Sequence, residues 1–244
     1  MATAGRRPLH DWRSPGESDQ YRQARDELLD AEVGLRRQIE SVASQRRKLP
    51  LGGLVPTDYY TFEEWDERSN APRRVRLSEL FEDGKNSLFV YSHMFIPGKV
   101  GLPLEVGCPS CTSIIDGIDG SAPHISQRIN FVVVAKVPIK QFRAHAKSRG
   151  WRNVRLLSSA NNTYNRDYRA ELQSGEQLPM ATVFTRREGK IHHTWSSELF
   201  MVPNDPGLDM RHVDFMWPLW SVLDRTPEGR GTDWRPELDY SARG

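Results

Sequence analysis

The chain has 244 residues, 37% of them hydrophobic, enough for one sizeable core with or without an appendage, which excludes a wholly disordered polymer. Basic and acidic residues number 34 and 32, for a net charge of +2, so total charge favours no polyanionic partner such as nucleic acid. The segment Met1 to Trp12 is polar, with Arg6 and Arg7, and the sequence shows no apolar run of signal-peptide or transmembrane length. The expectation is a cytoplasmic protein with no membrane partner, whose only two cysteines are kept reduced.

Ser14 and Glu17 have capping-box spacing, and Asp19 to Lys48 reads as one long charged helix. Tyr21, Leu28, Leu35, Val42 and Leu49 recur every seven residues, with Ala24, Ala31 and Ile39 beside them. Such a narrow stripe buries against a neighbour, either the helix's own domain or a second subunit, and cannot form a core alone. Pro50, Gly52, Gly53 and Pro56 then open an irregular linker that runs past Tyr60, Phe62 and Trp65 to Leu77. The expected division is a helical arm and linker over 1–76 and a folded domain over 77–244.

From Ser87 the elements alternate. Leu88 to Phe95 is an apolar strand, and after a Gly/Pro-rich loop Thr112 to Ile118 reads as a helix. Phe131 to Ala135 is a β-branched run suited to a strand buried on both faces. Pro138 to Arg149 reads as a helix stopping at Gly150, with Ile139, Phe142 and Ala146 on one face. Val154 to Leu157 is a third strand; Ala181 to Thr185 and Ile191 to Trp195 form a hairpin turned at Glu188-Gly189-Lys190. A last helix is expected from Leu208 to Met216, ending near Pro218. No internal repeat interrupts this order.

The cysteines form one motif, Cys108-Pro109-Ser110-Cys111, at the junction of the first strand and first helix. Two thiols at that spacing close a small disulfide ring, and a helix N-terminus lowers the pKa of a thiol placed on it. Cys108 is then the attacking sulfur and Cys111 the resolving one. The element order is that of thioredoxins, which predicts an α/β thioredoxin-like fold, a three-layer α/β/α sandwich with a long N-terminal helical arm. In that fold a cis-proline faces the dithiol, and by this analogy the Leu178–Pro179 bond is expected to be cis.

The residues resemble a family of uncharacterised bacterial thioredoxin-like proteins, domain of unknown function 899. The resemblance is carried by Arg46-Arg47-Lys48-Leu49-Pro50 with Gly52-Gly53, Tyr60 and Phe62, Leu80-Phe81, and Tyr91-Ser92-His93-Met94-Phe95. It continues through Gly107-Cys108-Pro109-Ser110-Cys111, Gly150-Trp151, Ser158-Ser159 and Asp224-Arg225-Thr226-Pro227-Glu228-Gly229-Arg230. It implies a thioredoxin-like fold related to peroxiredoxins and no established substrate. Two departures stand out. Thioredoxins place a tryptophan before the first cysteine, where this chain has Gly107. Peroxiredoxins place a proline and a hydroxyl residue seven and three positions before theirs, where this chain has Gly101 and Glu105, which counts against a peroxidase pocket of that design.

The leading expectation is a thiol–disulfide oxidoreductase acting on a disulfide, sulfenate or peroxide, served by a thiol reductant, with Cys108, Cys111, Pro179 and His93 as site residues and no cofactor. His93, at the end of the first strand, is placed to exchange protons with the thiols, although such a histidine more often only bonds the backbone. A non-catalytic thioredoxin-like binding module that holds a metal or a partner protein is the alternative: two thiolates with His93 or Met94 suit Cu(I), while zinc lacks its four ligands. A third reading is a specialised biosynthetic enzyme in which the cysteines are bystanders of a pocket built from Phe215, Met216, Trp217 and Trp220, residues that better suit a helix covering the sheet. His192 and His193 point to opposite faces of a strand, and His124 lies beyond the motif's helix. Arg128 and Arg155 are surface cations by default; Asp116 and Asp119 would oppose a thiolate if close to it. A homodimer through the N-terminal stripe completes the expected partners.

Overall fold

In the computed structural model, which describes residues 9–56, 58–95, 106–208, 210–231 and 233–240, the chain divides into two units after Pro50. The first holds helix α1 (Asp19–Arg47). Its N-cap is Ser18, whose hydroxyl accepts from the Tyr21 N–H at 3.2 Å. Ser14 and Glu17 do pair, Ser14 N–H to the Glu17 carboxylate at 3.1 Å, but in the turn ahead of the helix. Inside the helix the only buried side chain is Arg22, paired with Glu17 and Asp26. Tyr21, Leu28, Leu35 and Ile39 are each more than half exposed.

The second unit is built on strands β1 (Leu54–Val55), β2 (Thr61–Asp66), β3 (Ala71–Arg76) and β4 (Ser87–His93), followed by helices α2 (Pro109–Ile118) and α3 (Ala122–Ile125). Strand β5 (Asn130–Ala135), helix α4 (Ile139–Arg149), strand β6 (Arg155–Ser158) and helix α5 (Tyr164–Asp167) come next. The hairpin β7 (Met180–Arg187) and β8 (Lys190–Ser196), then helix α6 (Pro218–Leu223), complete it. One eight-stranded sheet runs in the order β1-β8-β7-β4-β5-β6-β2-β3. β4, β5 and β6 pair in parallel, and β7 lies antiparallel on the other side of β4. The β7–β8 turn uses Glu188 and Gly189, both at positive φ (51° and 75°), the pattern that matches strand twist in tight hairpins. This is the expected thioredoxin-like α/β order.

Two sequence expectations give way. The boundary after residue 76 moves to Pro50, because residues 54–55, 61–66 and 71–76 are strands of the sheet and not a linker. β2 and β3 are recognisable only through pairing. Glu64 of β2 is buried against Arg155 at 2.8 Å, and β3 sits at the rim, where Pro72 leaves no ladder partner wanting. The last helix also starts later. Residues 214–216 form a single 3₁₀ turn, and Pro218 begins α6 instead of ending a helix, since a proline at the first helical position loses no hydrogen bond.

The pleat sorts the core into two. Tyr91, Phe131, Val133, Ala135 and Ala181 face α2, α4 and α6, meeting Ile114, Ile115, Phe142, Ala146 and Trp220. Leu88, Val90, Val132, Val134, Leu157 and Phe184 face the other way, under Leu77 and Leu80 of a 3₁₀ turn, Phe62 and Tyr164. Right-handed crossovers from β4 to β5 to β6 all advance in one direction, which puts α2 and α4 on one face; the opposite layer is made of short pieces. No helix among the described residues is long and apolar enough to cross a membrane.

Candidate functional site

β4 ends at His93 and α2 begins at Pro109, so the dithiol motif sits at the carboxyl edge of the parallel strands. Cys108 is the N-cap of α2 in extended geometry (φ −55°, ψ 127°), with Pro109 as the first helical residue. Its own N–H is tied to the Met94 carbonyl at 2.9 Å, and its carbonyl accepts from Thr112 at 2.9 Å. Both cysteines are thiols. Cys108 is 7% exposed and Cys111 1%. Burial pushes the Cys111 pKa well up, with Cys108 adding to the shift and the Tyr91 hydroxyl opposing it, so Cys111 holds its proton.

Both cysteines line a cavity of about 340 Å³, together with Leu178, Pro179, Trp217 and Trp220. The Leu178–Pro179 bond is trans, as every peptide bond in the described chain is, which corrects the cis expectation; X-Pro bonds adopt trans unless the local fold forces otherwise. Pro179 nonetheless stands on the wall of the cysteine cavity. Tyr91, fully buried on β4, lines its floor; burial first, then Cys111, raise its pKa well above the usual value.

The outer wall comes from the C-terminal segment. Arg230 donates to Asp224 from Nε at 2.7 Å and from Nη2 at 2.8 Å, and stacks 5.2 Å over the Trp220 ring. Arg211 bonds the same Asp224 at 3.1 Å and Asp214 at 3.3 Å. The Arg230 bond, with Arg211 beside it, lowers the Asp224 pKa to about 2, so the acid stays ionised. Trp217 Nε1 donates to Ser113 Oγ on α2 at 3.1 Å, latching this segment to the dithiol helix. The two sets of residues that the sequence left as rival pockets, cysteines and C-terminal aromatics, therefore share one cavity. Met216 is buried with them in the core, and Phe215 points out.

His93 lies elsewhere, behind the backbone of Gly107. Its Nε2 is 3.2 Å from Thr112 Oγ1, which is 3.0 Å from Nε2 of His145. Burial, with His145 adding, holds the His93 pKa at about 3, so the ring is neutral and a poor proton acceptor at neutral pH. The pair explains the missing tryptophan: a Cβ on Gly107 would stand 2.7 Å from His93 Cε1 and 2.7 Å from His145 Nε2. Any side chain at residue 107 collides with the two rings that brace Thr112.

Other sequence candidates are structural. Asp116 accepts from Trp151 Nε1 at 2.7 Å and pairs with Arg149. Asp119 accepts the N–H groups of Arg152, Asn153 and Val154. Arg155 is the partner of Glu64, and Arg128 and His124 are exposed. His193 bonds Ser196 at 2.8 Å, and His192 lies 3.2 Å from the Gly52 carbonyl. Gly101 and Glu105 lie outside the described residues. Among the described residues no three His, Cys, Asp or Glu side chains converge on a metal-sized site. Sequence reasoning missed Tyr91, His212 and the Asp224–Arg230 clasp as site residues; Tyr91 and the clasp left a signal, in motifs that carry the resemblance, and His212 left none.

Similar solved structures include peroxidoxin BcpB from Mycobacterium tuberculosis, at 18% identity and a TM-score of 0.41, over 70% of this chain and 95% of that one. Thioredoxin peroxidase I from Plasmodium yoelii aligns at 20% identity and 0.43, over 72% and 91%. A 2-Cys peroxiredoxin from Plasmodium vivax aligns at 16% and 0.43, over 71% and 96%. No curated protein matches the chain. The model of one family, described as "Bacterial protein of unknown function (DUF899)", matches residues 13–241, nearly the whole sequence, and the chain belongs to that family.

Proposed function

We propose that the protein is a cytoplasmic thiol–disulfide oxidoreductase working through Cys108 and Cys111. One observation carries the reading: both cysteines line a single cavity, and Cys108 is the N-cap residue of a ten-residue helix. The Cys108 thiolate attacks a substrate disulfide, a new Cys108–substrate S–S bond forms, and the displaced sulfur leaves and takes a proton. Cys111 then gives up its proton and attacks the Cys108 sulfur, closing the Cys108–Cys111 disulfide and releasing the second substrate thiol. Two electrons pass to the substrate, and an external thiol returns them to the enzyme. A sulfenate enters the same sequence with water as the first leaving group, and a hydroperoxide with an alcohol, the resulting Cys108 sulfenate losing water to Cys111. Pro179 shapes the cavity wall, and His93 acts as a positioning residue through Thr112. The exposed stripe of α1 supports a homodimer. Residues 19–33 carry five acidic and two basic side chains and 34–48 five basic and one acidic, so an antiparallel pair of helices joins opposite charges along an apolar seam.

The test is chemical trapping. With a small aromatic disulfide, Cys108→Ser loses turnover, whereas Cys111→Ser accumulates a mixed disulfide on Cys108 visible in the intact mass. Full turnover by Cys108→Ser refutes the reading.

A further inference from the structure

His212, one of the residues that line the cysteine cavity, has a ring nitrogen that the protein leaves unsatisfied. His212 stands on its wall, the ring packed against Phe200 with centroids 4.6 Å apart, and Nε2 is buried without a hydrogen-bond partner. A nitrogen withdrawn from water and left unpaired costs free energy, and the native exceptions call for a partner met in use. Burial lowers the His212 pKa, the neighbouring Pro179 backbone opposing the shift, so the ring offers a hydrogen bond without a charge. Much of the surrounding wall is apolar, with Met94, Leu178, Trp217 and Trp220, beside the polar Ser110, Glu176 and Gln177. Its three arginines are committed: Arg211 and Arg230 both pair with Asp214 and Asp224, and Arg235 donates to the Trp234 carbonyl at 2.9 Å and lies 6.0 Å over the Trp220 ring. A volume of about 340 Å³ is that of a small-molecule site and too small for a folded partner.

We propose that this cavity selects an uncharged organic disulfide of low molecular weight, its apolar body against Trp217 and Trp220 and a hydroxyl or amide group paired with Nε2 of His212. The assignment rests on the redox reading of Cys108 and Cys111 and adds the substrate class and a specificity-determining residue. A site built to pair a substrate hydroxyl discriminates strongly against the analogue without it, because the buried group is then left alone.

Two probes of near-equal shape test this: bis(2-hydroxyethyl) disulfide, and dipropyl disulfide, which has methyl groups where the first has hydroxyls. Binding is read by calorimetry on the Cys108→Ser/Cys111→Ser protein, in which no exchange occurs. Adding His212→Phe weakens the hydroxyl probe about tenfold or more and leaves dipropyl disulfide within about twofold, which also shows that the cavity still folds. His212→Gln, which keeps a hydrogen-bonding end, loses less than His212→Phe. Equal losses for both probes, or none for either, overturn the proposal. So does tighter binding of 3,3′-dithiodipropionate, the dicarboxylate analogue. The His212-dependent binding pattern with no turnover of any probe by the unsubstituted chain refutes the redox reading instead and leaves the binding site standing.

Discussion

Replacing Gly107 by alanine adds one methyl group, and the structure says where it goes. The new carbon would lie 2.7 Å from His93 Cε1, 2.7 Å from His145 Nε2 and 2.9 Å from His145 Cε1, all well inside van der Waals contact. The His93 ring has no room to retreat. His93 is 1% exposed, both imidazoles are tied to Thr112, and Trp151 stands behind them with ring centroids at 5.8 Å and 5.4 Å. Overpacking of this kind costs about 1–3 kcal/mol. In a domain of this size each kcal/mol moves Tm by roughly 2–4 °C, so Gly107→Ala should melt about 2–12 °C below the parent. Urea and calorimetric unfolding of both proteins measure it. Adding His145→Ala removes two of the three contacts and leaves His93, so the double variant recovers only part of the steric cost, and the two changes are not additive. A Gly107→Ala protein within about 0.5 kcal/mol of the parent would show that the rings do not brace the motif as described.

Two further outcomes follow from burial and exposure. The folded His93 pKa of about 3 lies below the ordinary 6.5, so the stability it contributes is complete above pH 6.5 and drains away as pH falls towards 3, reaching a loss of about 2 kcal/mol at pH 5. Burial shifts His145, His193 and His212 in the same direction. His93→Gln should flatten the acid limb of the stability curve by that amount, and an unchanged slope between pH 6.5 and 5 counts against a neutral buried ring. For α1, Leu28→Glu with Leu35→Glu should turn a sedimenting dimer into a monomer; a parent chain that stays monomeric at high concentration removes the seam.

What could be read from the residues was local. The β5 run is apolar on both faces, α4 is bracketed by Pro138 and Gly150, and the cysteine motif falls between the β4 and α2 patterns; each signal is complete within about a dozen positions. The hairpin of β2 and β3 was illegible because its polar alternation makes sense only once Arg155, 91 residues away, neutralises Glu64. Asp116 and Asp119 looked like charges that would disturb a thiolate, and distance in sequence hid their partners, Arg149 and three backbone N–H groups of residues 152–154. The cavity was the least visible part. It is assembled from β4, α2, the segment before β7 and the C-terminal clasp, and nothing about His212 alone announces that its ring nitrogen is left unmatched.

The two rims of the sheet bear on how copies of this protein meet. One outermost strand is only two residues long, and the other carries Pro72 with Arg73, Arg74 and Arg76. Neither offers an incoming backbone a continuous row of amides, and at the second rim a like strand meets cationic repulsion. Runaway edge-to-edge stacking is thereby discouraged even when the protein is crowded, and association is left to side-chain surfaces.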